Sequence, residues 1–195
     1  CMVFMSGGAV SGQAIGGIVA DLVGWQGVFI MVGAALTLAG AILLVQMRSN
    51  PVLAARPSRA TGGLVTAIIQ MLSLGKSPAA RLVLITVTLE AAIFFGAFTF
   101  LGAHLRNAYG ISYTLIGALT ALSAGGAVLY AWTGPMLLAR FSQASLITGS
   151  AILFVAAFLI FAASPPLWLM AAAIALGGAG FACFHNALQI LVTQM

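Results

Sequence analysis

Apolar residues fall along this chain in blocks, and a few polar breaks between the blocks set its plan. A helix that crosses a bilayer needs about 20 mostly apolar residues. Six stretches meet that length, so crossing helices are predicted over residues 2–20, 25–45, 81–106, 112–133, 144–163 and 167–188. Asp21 and Val23-Gly24 leave only a tight turn between the first two. Asn107-Ala108-Tyr109-Gly110 separates the third from the fourth, Gly134-Pro135 marks the weakening or end of the fourth, and Ser164-Pro165-Pro166 divides the final tract. Between the second and third blocks runs a polar connection, residues 46–80, broken by Pro51, Pro57, Thr61-Gly62-Gly63 and Pro78. Within it, residues 64–74 are too short to span and predict an amphipathic helix along the interface.

Composition turns this pattern into a class. Charged residues make up 5% of the chain, against roughly 25% in soluble domains, and hydrophobic residues reach 63%. The expected fold is an all-α membrane protein, a polytopic helical bundle of about six transmembrane helices. The formal charge of +5 does not point to nucleic acid, because Lys and Arg sit in the connections between apolar blocks and so report topology. If the first block starts in the cytoplasm, Arg48, Arg56, Arg59, Lys76, Arg81 and Arg140 fall inside and only Arg106 outside. That arrangement satisfies the positive-inside rule and makes the basic connection cytoplasmic. Cys1 and Cys183 are far apart, and Cys183 lies in an apolar block, so no disulfide framework is expected. The opening CMVFMSGGAV has no initiating Met, basic lead or cleavage site, and the end LVTQM has no polar tail, so a segment of a longer chain is expected.

Against this background Glu90 stands out. Helix rise places it about 13 Å from Arg81, near the middle of a hydrocarbon core about 30 Å thick. An ionisable group at that depth is costly and is retained where it faces a cavity or a partner. Glu90 is therefore the candidate for proton coupling, able to load and release a proton. A permanent pairing with an Arg or hydroxyl of a neighbouring helix is the structural alternative. Thr86 lies one turn earlier, and Ala97 and His104 follow at heptad spacing, giving a partly polar stripe; His104 is expected near the outer interface and solvated. Asp21, the other carboxylate, sits at a block end. In the sixth block Gly178, Ala182, His185 and Gln189 share a face, and His185, Asn186 and Gln189 are substrate or gate candidates. Ser123, Gly126, Tyr130 and Thr133 align in the fourth, which fits a contact between halves at least as well as a binding site.

Gly8, Gly12 and Gly16 recur every four residues and predict a close-packing helix face. The fuller string from Gly8 through Gln13 to Gly16-Gly17, followed by Asp21 and by Gly24-Trp25-Gln26 and Phe29, resembles the fifth helix of the major facilitator superfamily, with the glycine-rich motif of its drug:proton antiporter branch. Gln13 stands where that motif usually has Pro, and Gln26 where it usually has Arg. The resemblance continues through the basic central loop, LEAAIFFGAF from Leu89 to Phe98, Tyr109-Gly110-Ile111-Ser112, and Phe184-His185-Asn186-Ala187-Leu188-Gln189. GPMLLARFS, from Gly134 to Ser142, is similar to the family's cytoplasmic loop motif, but Ala139 precedes Arg140 where an Asp is usual, so Arg140 as a gating residue competes with a plain positive-inside anchor. The resemblance is to bacterial arabinose-efflux-like and multidrug-efflux-like members.

What this resemblance implies is a fragment covering about helices five to ten of a twelve-helix major facilitator fold. Residues 1–46 would be the last two helices of the N-terminal half, residues 47–80 the cytoplasmic central loop and residues 81–195 the first four helices of the C-terminal half. The implied function is secondary active transport, proton-coupled efflux of a small molecule such as a drug or sugar, in the bacterial inner (plasma) membrane. The partners would be the lipid bilayer, the small-molecule substrate, protons and the missing helices of the same chain. The alternatives are an intramembrane enzyme using Glu90 and His185, or a structural or channel-forming bundle. Block boundaries place those two residues about 10 Å apart in depth, which opposes the enzyme; a pore wants repeated polar rings, and only isolated polar residues occur. No Walker-type loop points to nucleotide hydrolysis, and two His without metal-pair spacing point to no metal or other cofactor.

Overall fold

In hydrocarbon no water is available to bond the backbone, so a crossing segment closes its hydrogen bonds within itself as a helix. A computed structural model describes residues 2–49, Thr66 and residues 77–193, and among these there are helices and short connections but no strand. The helical runs are α1 (Met2–Ser49), α2 (Pro78–Tyr109), α3 (Tyr113–Arg140), α4 (Gln143–Ala163) and α5 (Leu167–Thr193). Each is long and apolar enough to cross a membrane. Apart from Thr66, which is helical, the amphipathic helix expected over residues 64–74 lies outside the described residues, as do the cations Arg56, Arg59 and Lys76, and Cys1.

The 48 residues of α1 would reach about 70 Å if straight, over twice the thickness of the hydrocarbon core. The run is broken at Gly24, whose φ of 81° and ψ of 170° suit a residue without a side chain. A Cβ placed on Gly16 would lie 3.8 Å from Val28 Cγ1, although a straight helix separates these positions by about 18 Å. The chain therefore folds back at Gly24, and the two limbs of α1 are the first two predicted crossings.

The other boundaries follow from capping. Ser77 and Pro78 open α2, and its end comes later than the sequence pattern indicates, at Gly110, which adopts the left-handed conformation (φ 64°) and donates its N–H to the Arg106 carbonyl at 3.0 Å. Asn107, Ala108 and Tyr109 thus form the last turn of the helix and not the connection. Ser112 caps α3, its Oγ accepting from Leu115 N at 3.2 Å, and Ser142 does the same for α4 through Ser145 N. The predicted end at Gly134-Pro135 is corrected: α3 passes through both and stops at Arg140. Pro135 removes one bond, to the Ala131 carbonyl, a loss that a packed membrane helix tolerates. GPMLLARFS is accordingly mostly helix, with Phe141 and Ser142 as the whole connection. Helix α5 also outruns its predicted end at Leu188 and continues to Thr193.

Helix α3 is central, packed against α1 on one side and α5 on the other, with α4 lying on α5. At the α3–α5 crossing a Cβ on Gly178 would lie 2.6 Å from Ser123 Cα, and one on Gly126 2.8 Å from Ala179 N. Helices in lipid gain no hydrophobic drive from meeting each other, so such backbone proximity is the means of association. Leu101 and Leu105 of α2, Ile116 and Leu119 of α3, and Met170 and Ile174 of α5 form a buried cluster towards the 110–112 turn. The same end holds the Gly24 fold-back and the 164–166 turn, because Asp21 bonds Tyr113 N and Tyr109 Oη donates to the Pro165 carbonyl at 2.5 Å.

Candidate functional site

Glu90 lies on α2 about 18 Å along from Pro78. It is 6% exposed, so the protein and not water must satisfy it. Its Oε2 lies 3.1 Å from His185 Nδ1 on α5, and its Oε1 is buried with no hydrogen-bond partner among the described residues. One turn beyond His185, the amide Nε2 of Gln189 stands 3.0 Å from His185 Nε2. An amide nitrogen only donates, so the ring Nε2 accepts and the ring hydrogen sits on Nδ1, pointing at Glu90. Carboxylate, imidazole and amide form a hydrogen-bonded row in which each group fixes the state of the next.

This contact corrects the depth separation expected between Glu90 and His185. That expectation ended the last helix at Leu188; because α5 runs to Thr193, His185 is about 12 Å from its end and not at its boundary. The two groups are at one level.

Phe181, one turn before His185, stacks on its ring at 5.6 Å between centroids, and Phe94 of α2 stacks on Phe181 at 4.1 Å. Phe154 of α4 continues the stack on Phe94 at 5.8 Å. Rings from three helices thus wall the pair in apolar surroundings. Beside it opens a cavity of about 230 Å³ lined by Thr86, Leu89, Glu90, Ile93, Phe154 and Phe184 among others. Thr86 turns its hydroxyl back to the Leu82 carbonyl at 2.9 Å, leaving Glu90 Oε1 as the polar atom the cavity lacks a partner for.

The remaining sequence candidates separate from this centre. Asn186 faces away from Glu90 and donates from Nδ2 to Tyr130 Oη at 2.9 Å, tying α5 to α3. His104, expected to be solvated, lies 3.2 Å from Ser164 Oγ at the far end of α2. Gly134 is inside α3 under the Tyr130 ring, and Arg140 is the exposed last residue of that helix. No group of three or more His, Cys, Asp or Glu that could hold a metal stands together among the described residues.

The glycine motif divides, with Gly17 and Gln13 at a close crossing and Gly8, Gly12 and Gly16 away from it. Among the described residues Gly8 and Gly12 meet nothing within 4 Å, and Gly16 meets only Val28 of the returning limb. Close packing occurs instead at Gly17, where a Cβ would strike the Tyr113 carbonyl oxygen and lie 3.1 Å from Gly117 Cα, and at Gln13, whose backbone carbonyl touches Gly117. Gln13 takes part through its backbone, so the every-fourth glycine spacing omits it although the longer motif includes it. Its Oε1 is buried without a hydrogen-bond partner among the described residues.

Asp21 was legible only as a carboxylate at a block end. In the folded chain its Oδ1 accepts from Tyr113 N at 3.0 Å and its Oδ2 from Thr114 N at 2.6 Å. Beside the fold-back, outside the crossing limbs, hydrogen bonds from the Thr114 side chain and then its backbone N–H hold the Asp21 carboxyl below the usual carboxylate range. A capping-type residue placed three positions before a fold-back glycine was the available signal.

No match was found among curated proteins or among solved structures. The family model described as Major Facilitator Superfamily matches residues 1–195, the described residues of that stretch fold as apolar crossing helices around a buried carboxylate, and the chain belongs to that superfamily of membrane transporters.

Proposed function

We propose that the chain is part of a proton-coupled secondary transporter that expels a small molecule, a drug or a sugar, across the bacterial inner membrane, with Glu90 carrying the proton. In this reading residues 1–46 close the N-terminal half, residues 47–80 are the cytoplasmic connection and residues 81–195 open the C-terminal half. The observation that carries it is the buried Glu90 with one oxygen on His185 and the other unpartnered beside a cavity. A lone carboxylate oxygen in apolar surroundings favours taking up a proton when the cavity is closed and releasing it when water enters. His185 and Gln189 answer that event: a proton placed on the ring Nε2 would oppose the Gln189 amide hydrogens, so the amide must turn its oxygen inward. Such a turn links the protonation state to the side-chain arrangement around the cavity.

A Glu beside a His also suits a general base. What opposes an intramembrane enzyme is the hydroxyl nearest the carboxylate in the cavity, Thr86, which is engaged with Leu82 and not with His185.

Glu90→Gln keeps size and hydrogen-bonding capacity but cannot ionise. In the full-length protein in vesicles, transport driven by an imposed proton gradient should fall to background at every pH, while substrate exchange without a gradient survives. Wild-type driven transport with an unchanged pH profile would demote Glu90 to a structural residue.

A further inference from the structure

A transporter that alternates its access must part its two halves at one face of the membrane while holding them at the other. The assignment of the first limb of α1 and of α3 to opposite halves rests on the reading above; the contact between them does not. At the 110–112 end these elements meet through two features. Gly17 and Gly117 bring the backbones together: a Cβ on either would lie 3.1 Å from the Cα of the other and would strike a carbonyl oxygen, that of Tyr113 or of Gln13. Beyond this crossing, Asp21 reaches the start of α3 and accepts from two consecutive N–H groups, those of Tyr113 and Thr114.

The first N–H groups of a helix have no partner within it, and the helix dipole adds partial positive charge there. Ser112, the residue before α3, satisfies Leu115 N with its own hydroxyl. The N–H groups of Tyr113 and Thr114 are left to a residue ninety-two positions or more away in sequence, on a different helix. Arg106 completes the arrangement: its Nη1 donates to the Ile111 carbonyl at 2.6 Å and its guanidinium lies 4.8 Å from the centre of the Tyr113 ring. It holds the 110–112 turn in place while adding positive charge near Asp21.

We infer that Asp21 is a latch between the two halves, closing the Arg106 end of the transporter by capping α3 and releasing it when water replaces those two hydrogen bonds. The contact is built for reversal. Both bonds are exposed, so each broken bond is remade with water on either side. The glycine crossing beneath contributes shape without chemical ties and separates without leaving a buried polar group on Gly17 or Gly117.

The test uses the full-length transporter in lipid nanodiscs, spin-labelled at Leu22→Cys and Asn107→Cys, with distances recorded over a series of pH values. The unmodified latch should give a short and a long population. Asp21→Asn offers one oxygen where two N–H groups need acceptors and carries no charge. It should raise the long-to-short ratio about two- to fivefold, the range expected for one exposed charge at a helix start. Tyr113→Pro removes one of the N–H donors at a helix position where Pro is favoured, leaves Asp21 intact, and should move the ratio the same way. It also serves if the Asn variant does not fold. Two populations in the parent with unchanged ratios in the variants would overturn the latch and leave the transporter reading standing. A single fixed distance in the parent at every pH would overturn the assignment of these elements to separate moving halves, and the latch with it.

Discussion

Glu90 and His185 are ninety-five positions apart, and the sequence marked both but placed them at different depths. A carboxylate within an apolar stretch is conspicuous because burial of its charge is costly; a histidine near a helix end has several inexpensive explanations. Their pairing depends on where α5 ends, and an error of five residues in that boundary moves His185 by about 8 Å in depth. The Asn186–Tyr130 bond was hidden for a similar reason: Tyr130 lay on an aligned face and Asn186 was a substrate or gate candidate, but which faces meet is fixed by helix rotation, not by spacing. That bond gives a measurable prediction. Tyr130→Phe leaves the Asn186 amide without its acceptor, and Asn186→Leu leaves the buried tyrosine hydroxyl without its donor. Each single change should lower thermal stability in detergent, and the double change should cost less than their sum by about 0.6 kcal/mol, the average for such bonds in a membrane bundle, and by no more than about 1.7 kcal/mol. Strict additivity in the double-mutant cycle would show that the bond carries no coupling.

At the level of helices, the number of crossings was readable from length and hydropathy, since each needs its own apolar block. Which glycines pack was not. Gly12 belongs to a regular every-fourth pattern yet meets nothing within 4 Å among the described residues, whereas Gly178 and Gly126, each marked only as one member of an aligned face, sit against backbone atoms of the facing helix. Substitution by alanine distinguishes them. Gly178→Ala and Gly126→Ala must push α3 and α5 apart and should lower the melting temperature and the yield of folded protein. Gly125→Ala, one residue away from Gly126 and in open space, should be neutral or raise stability by up to about 1 kcal/mol through its better helix propensity. Thermal-shift measurements on the purified full-length variants check the contrast; equal losses at Gly125 and Gly126 would mean that the crossing is not as tight as drawn.

For the whole molecule, the alternation of helices decides which charges share a face. The contact of Asp21 with α3 and of Tyr109 with the 164–166 turn puts the Gly24 fold-back, the 110–112 turn and the 164–166 turn at one end. Arg106 lies at that end, while Arg48, Arg81 and Arg140 sit in terminal turns at the other. The sequence pattern placed these cations correctly relative to each other because a helical connection alternates sides whatever the exact boundaries are. The same pattern could not show that Asp21, counted only as a charge at a block end, bridges two helices across the molecule. With cations retained on the cytoplasmic side, the end bearing Arg48, Arg81 and Arg140 should face the cytoplasm and the Arg106 end the opposite side. In the full-length protein, single cysteines at Arg56 and at Asn107 should therefore react with a membrane-impermeant maleimide from opposite faces: Asn107→Cys in intact cells, Arg56→Cys only in inside-out vesicles. Reaction of both from the same face would break the alternation itself, whereas a clean exchange of the two sides would keep the fold and reverse its orientation, making the Asp21 end cytoplasmic.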